Sequence, residues 1–170
     1  MSKKRKVLRV LLAIFVIVLF LPEFAKIPVQ GASAKDWNAK AFWFEPWGKS
    51  GVHKGIDIFG KLNTPVLSIT YGVVIFTGDI AMGGKVVAVL GPKWRIHYYA
   101  HLNDDSVFIG EPVWSGKQIG LLGDTGNAKG KPPHVHYSIV TLVPYVWLAD
   151  SSTQGWKKMF YLDPNDTLLN

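Results

Sequence analysis

The five histidines of the chain fall in three short segments: His53-Lys-Gly-Ile-Asp57, His97-Tyr-Tyr-Ala-His101 and His134-Val-His136. There is no cysteine. A cysteine nucleophile, a Cys₄ zinc site and a cysteine-ligated cluster are therefore excluded, and any metal chemistry must use imidazoles and carboxylates. On an extended strand, residues i, i+2 and i+4 project from one face. Read as strands, the first segment aims His53 and Asp57 the same way with the bare Gly55 between them, and the third places His134 and His136 on a common face. A zinc ion takes three ligands of this kind and keeps a fourth position for water, and these two segments can supply them. Spacing alone is weak, because with five His and nine Asp chance yields a His-xxx-Asp about 0.3 times and a His-x-His about 0.1 times. Indeed His101 and Asp105 form a second His-xxx-Asp, which runs into Asn103-Asp104-Asp105-Ser106, a turn composition that breaks the shared face. His97 and His101 have the spacing of a helical zinc pair, but Tyr98, Tyr99 and their β-rich surroundings argue for a strand.

The elements that must position these side chains are short β-type runs punctuated by Gly, Pro, Asn and Asp: Pro65–Ile69, Gly72–Thr77, Lys85–Leu90, Trp94–Leu102, Gln118–Leu122 and His134–Leu142. Their spacing predicts an all-β fold, a mostly antiparallel sandwich or half-barrel with short turns. No stretch beyond the N-terminal apolar run sustains a helical period over three turns, although Gly155 to Tyr161 could form one short turn. One domain is expected over residues 41–169, with enough apolar material for a core: 48% of the 170 residues are hydrophobic, which excludes wholesale disorder. The seven tryptophans are expected chiefly as core or strand-face filling. His97 is expected to be an ordinary core or surface residue.

The net charge of +7 is concentrated at the N-terminus, in Lys3, Lys4, Arg5, Lys6 and Arg9. From Lys35 onward, 13 basic residues face 11 acidic ones, so no basic patch survives to favour a nucleic-acid partner. The basic cluster abuts an unbroken apolar run, Val10 to Leu21, in the pattern of an export signal. Residues 1–34 therefore read as a signal peptide or a membrane anchor with its tether. The small residues Ala32-Ser33-Ala34 offer a cleavage site, while their distance from Leu21 favours an uncleaved anchor through residues 7–21 in the cytoplasmic membrane. Both readings place the body outside the cytoplasm. Residues 22 to about 40 read as the tether.

The order of several motifs resembles the lysostaphin-type zinc peptidases of family M23, which cut peptidoglycan peptides. It begins with His53-x-Gly55-x-Asp57 and continues through Thr64-Pro65-Val66, Tyr71-Gly72-Val73-Val74 and Tyr99-Ala100-His101-Leu102. Gly110-Glu111-Pro112-Val113, Gly116-Lys117-Gln118-Ile119-Gly120 and Pro133-His134-Val135-His136-Tyr137 follow. It covers about residues 48 to 142, and Leu162-Asp163-Pro164 is similar to the family's usual ending. The resemblance implies an antiparallel sheet with a groove, zinc held by His53, Asp57 and His136, and His134 with His101 as a catalytic pair that does not ligate. Two departures stand out: Asn63 replaces the usual Gly before Thr-Pro-Val, and the loop Gly126–Pro132 is longer and more basic than usual. That loop should border the groove, and its Lys129 and Lys131 would favour peptides bearing free carboxylates. An inactive relative that only binds peptidoglycan or regulates another hydrolase would be expected to lack a ligand, and none is missing here.

Overall fold

The computed structural model describes residues 3–23 and 25–169; Met1, Ser2, Phe24 and Asn170, parts of the segments read above as leader, tether and terminus, lie outside the described residues. Nine strands form one open sheet: β1 (Ile56–Phe59), β2 (Pro65–Leu67), β3 (Gly72–Ile80), β4 (Gly84–Leu90), β5 (Arg95–Asp105), β6 (Pro112–Val113), β7 (Gln118–Leu122), β8 (His134–Thr141) and β9 (Tyr161–Leu162). All pairings are antiparallel, in the order β1-β8-β5-β4-β3-β6, with β7 also on β5, β2 on β7 and β9 on β8. The all-β expectation holds, but the strands join one continuous sheet in place of two packed ones. One side of it carries the core, where Ile56, Ile58, Tyr99, Leu102, Ile119, Leu122, Tyr137 and Ile139 are fully buried. Alternation along each strand sends these residues inward and their neighbours to the opposite face.

Two irregularities decide what the opposite face presents. His101 has φ +64°, a left-handed conformation unusual for a residue with a side chain, which costs about 1–3 kcal/mol. There the register against β4 shifts, with Lys85 opposite Leu102 but Val87 opposite Tyr99. The bulge removes His101 from the core-facing set of His97 and Tyr99 and places it with Tyr98 and Ala100 on the groove face. It also lets β5 run on to Asp105, where a turn was expected after Leu102. Asp105 turns away from the histidines, to Lys85 and Thr77.

The expected tether differs most. Val29 is buried and bridges Val66, Gln30 donates its backbone N–H to Pro65, and Leu67 donates to Pro28. Trp37 is also buried, and its indole N–H donates to Asn165 Oδ1 at 3.0 Å. Residues 25–37 thus form a strap that completes the core against β2. Trp37 is the single buried tryptophan of the seven; Trp114, Trp147 and Trp156 are exposed.

The N-terminal run forms α1 (Lys3–Phe20), none of whose residues is buried. It touches the body through Phe15, stacked on Trp94 with centroids 5.5 Å apart. Five of its 18 residues are cationic, and among the described residues no helix is long and apolar enough to cross a membrane. The anchor reading therefore finds no support in α1. A last short helix, α2 (Asn165–Leu168), follows β9.

Candidate metal centre and groove

Asp57 lies on β1 directly opposite His136 on β8, and β8 continues the face to Ala100 on β5. His53 comes from outside the sheet. It precedes β1 and is clamped by backbone bonds to Trp43 and Phe44, so the strand geometry that would align it with Asp57 is not what brings the two together. Gly55 permits the approach, because a Cβ there would collide with the Tyr137 carbonyl and Ser138 Oγ. Three donor atoms converge as a result. His53 Nε2 is 3.1 Å from Asp57 Oδ1 and 3.0 Å from His136 Nδ1, and His136 Nδ1 is 2.9 Å from Asp57 Oδ1.

The opposite ring nitrogens are all committed. His53 Nδ1–H donates to the Ala41 carbonyl at 3.0 Å, and His136 Nε2–H donates to Ser138 Oγ at 2.9 Å. The Ser138 hydroxyl in turn donates to the Lys54 carbonyl at 2.7 Å. These contacts fix the tautomers that leave His53 Nε2 and His136 Nδ1 as lone-pair donors toward Asp57. Two imidazoles and a carboxylate, oriented from behind and open on the groove side, form a donor set that could hold a metal ion and leave it accessible from the groove.

Comparison with known proteins decides the family, because residues 51–146 match Peptidase family M23. The chain belongs to family M23. It is 34% identical over 113 residues to an L-Ala–D-Glu endopeptidase of Bacillus subtilis, a match covering 61% of this chain and 35% of that protein. The chain thus spans about a third of that curated relative. The catalytic domain of the antimicrobial peptidase lysostaphin from Staphylococcus simulans superposes with TM-score 0.59 at 26% identity, over 74% of this chain and 86% of that one. A zinc-containing peptidase from Vibrio cholerae gives TM-score 0.57 at 25% identity, over 69% and 36%.

In this M23 domain the remaining two groove histidines stand beside the donor triad. His134 Nδ1–H donates to the Pro132 carbonyl at 2.8 Å and His101 Nδ1–H to the Thr125 carbonyl at 2.9 Å. Both therefore keep Nε2 unprotonated when neutral. Their rings meet edge to face at 5.1 Å, and His134 Nε2 lies 4.0 Å from Asp57 Oδ2. Burial, then the neighbouring charges of His134 and His136, push His101 down to about 4. Burial also lowers His136, against the pull of Asp57. Burial alone would raise the Asp57 carboxyl, but the adjoining His136 and His53 rings outweigh it and hold Asp57 well below the carboxylate range.

All five predicted site residues line one groove of 760 Å³. Several other groove residues escaped the sequence reading. Trp47 stacks on His53 with centroids 4.0 Å apart and an interplanar angle of 21°, covering one face of the imidazole. Ser138 orients His136, and its contiguity with the His-x-His motif was the available signal. Of the two loop lysines expected at the rim, Lys131 lines the groove and Lys129 does not; Lys49 and Lys54 line it from the other side. Asp57 is the sole acidic residue among the described lining.

Proposed function

We propose that the chain is a zinc-dependent endopeptidase that hydrolyses peptide crosslinks of cell-wall peptidoglycan outside the cytoplasmic membrane. The observation that carries this reading is the convergence of His53 Nε2, Asp57 Oδ1 and His136 Nδ1 beneath two histidines whose free Nε2 atoms face the same groove. When bound by that triad, zinc supplies Lewis-acid polarisation of a carbonyl and acidifies water toward neutral pH. His134 takes a proton at Nε2 from the attacking water and returns it to the leaving amine. His101, held neutral, presents Nε2 to the reacting centre and orients the attacking water by accepting its second proton in a hydrogen bond. The buried strands beneath exclude bulk solvent.

The groove also bears on the substrate. Lys49, Lys54 and Lys131 face a groove whose single carboxylate belongs to the metal triad. Such a groove favours peptides with free carboxylates over neutral polyglycine. Wall stem peptides carry these at D-Glu, diaminopimelate and terminal D-Ala, and the proposed bond is the direct D-Ala–diaminopimelate crosslink. The basic N-terminal cluster before Val10–Leu21 supports export of the body. Mass spectrometry of fragments released from defined crosslinked dimers, with and without a chelator, tests the reading. Chelator-sensitive cleavage at that bond is the expected outcome; equal cleavage of pentaglycine would overturn the substrate assignment, and chelator-insensitive cleavage the metal.

A further inference from the structure

A second pocket, of 330 Å³, lies between the turn at residues 145–148 and the segment 161–167. It is at the lower end of the range of about 300–1,000 Å³ typical of small-ligand sites. Its walls include the rings of Phe42, Tyr145, Trp147 and Tyr161. Trp147 is 73% exposed although it lines a concavity, and Tyr145 meets it edge-on with centroids 5.2 Å apart. Tyr145 is itself held by the Arg95 guanidinium, which donates to its hydroxyl at 3.4 Å. A large flat indole set upright in water beside a fixed phenol is a stacking surface.

The polar lining differs in kind from that of the groove. Arg95, Lys158, Asp163 and Asp166 line it, and neither cation is left unpaired, since Arg95 is engaged with Glu23 and Lys158 with Asp150. A lining whose cations are already paired does not call for an acidic ligand and suits an uncharged hydrogen-bond donor, whereas the lysine-rimmed groove suits an acidic one. A pyranose ring matches both features: its C–H face lies on an indole, and its hydroxyl rim donates hydrogen bonds to carboxylates. Tyr161 lines both cavities, so the second lies beside the groove.

We propose that this pocket is a subsite for the glycan strand, the neutral amino-sugar polymer to which wall peptides are attached. The proposal rests on the peptidoglycan reading for its biological ligand, but its test does not need peptide hydrolysis. The probe is chitotetraose, a neutral N-acetylglucosamine tetramer, titrated into the full chain while the tryptophan indole N–H signals are followed by NMR. A saturable shift of the Trp147 signal is expected. Trp147→Ala should weaken binding by about tenfold or more, and Trp147→Phe by less. The Trp147→Ala substitution should also lower, several-fold, the ratio of cleavage of intact wall to cleavage of a soluble sugar-free crosslinked peptide. Because the side chain is largely exposed, loss of fold does not confound the result, and unchanged dispersion of the other indole signals checks this. Shifts confined to Trp47 in the groove, or an equal Trp147 response to a sugar-free stem peptide, would overturn the proposal. Sugar binding at Trp147 by a chain that cuts no wall peptide would instead sink the proposed hydrolysis and leave this site standing.

Discussion

His97 and the four groove histidines sit on opposite faces of the same sheet. In the groove, His53, His101, His134 and His136 each commit one nitrogen to a fixed protein acceptor and turn the other toward the cavity or the Asp57 carboxylate. His97, fully buried, turns neither nitrogen to a cavity: Nδ1 lies 2.8 Å from the Tyr137 hydroxyl, and Nε2 lies 3.0 Å from Glu23 Oε1, at ion-pair distance but outside hydrogen-bond geometry. Glu23 also pairs with Arg95, and its side chain is only 3% exposed. The same residue type is thus a tool where one nitrogen faces a cavity and a rivet where neither does. The rivet joins the stretch following α1 to β5, just ahead of the strap that closes the core.

Substitution of the ligands should produce the largest separation between these regions. Asp57→Ala and His136→Ala are expected to lose bound zinc and activity together, whereas His134→Ala should keep the metal, read by atomic absorption, while hydrolysis falls about 10²–10⁴-fold. His97→Ala should leave zinc content untouched. Full zinc occupancy in the ligand variants would remove the division between tool and rivet, and metal loss in His134→Ala would redraw it.

The rivet should instead appear in stability. Breaking a buried pair typically costs about 3–5 kcal/mol, so Glu23→Ala is expected to lower the melting temperature markedly in calorimetry without altering zinc content. The pH dependence has a definite sign. Burial tends to raise the Glu23 carboxyl, but His97 and Arg95 more than offset this and leave it below its ordinary value of 4.5. The stabilisation is therefore fully present above that value and is lost as pH falls through the lowered one. Glu23→Gln should narrow its gap to the wild type as the medium is acidified below 4.5; a gap independent of pH would show that Glu23 packs but does not pair.

Between tool and rivet stands Ser138, which touches no substrate yet sets which nitrogen of His136 faces Asp57. Ser138→Ala is expected to weaken zinc affinity about 10–100-fold in chelator competition. Ser138→Thr should restore most of it, since the hydroxyl and not the volume carries the effect. Equal loss in both variants would reduce Ser138 to packing.

How much of this was legible in the sequence differs between the two regions for a physical reason. The groove residues lie in compact motifs whose spacing survives any local bend, so their convergence could be read even though His53 precedes the strand and His101 turns only through a left-handed φ that no residue type announces. Strands β3, β5, β7 and β8 were likewise visible as apolar runs. The strap was not. Val29 and Trp37 are isolated apolar residues among Pro, Gly, Lys and Ser, and the partners that bury them, Val66 and Asn165, lie 37 and 128 residues away in sequence. Glu23 fell within the stretch read as tether because its partners, His97 and Arg95, lie 74 and 72 residues away.

The smallest expected effect sharpens the comparison at its rim, where neither metal nor burial magnifies charge. Lys131 and Lys49 line the groove from opposite sides, and each exposed pairing with a substrate carboxylate is worth only about 0.2–1 kcal/mol. Neutralising both should therefore raise KM for a carboxylate-bearing crosslinked peptide by about 2- to 30-fold, with little change in kcat, because the lost interaction is equally present in ground and transition states. The effect should shrink as salt is added, since the Debye length contracts from about 10 Å at 0.1 M to 3 Å at 1 M. Neutralising Lys129, which lies off the lining, serves as the control and should do less. A KM rise that ignores salt would mean that shape and not charge admits the substrate, and an equal rise for Lys129 would mean that the net charge around the groove, and not the lysines lining it, draws the substrate in.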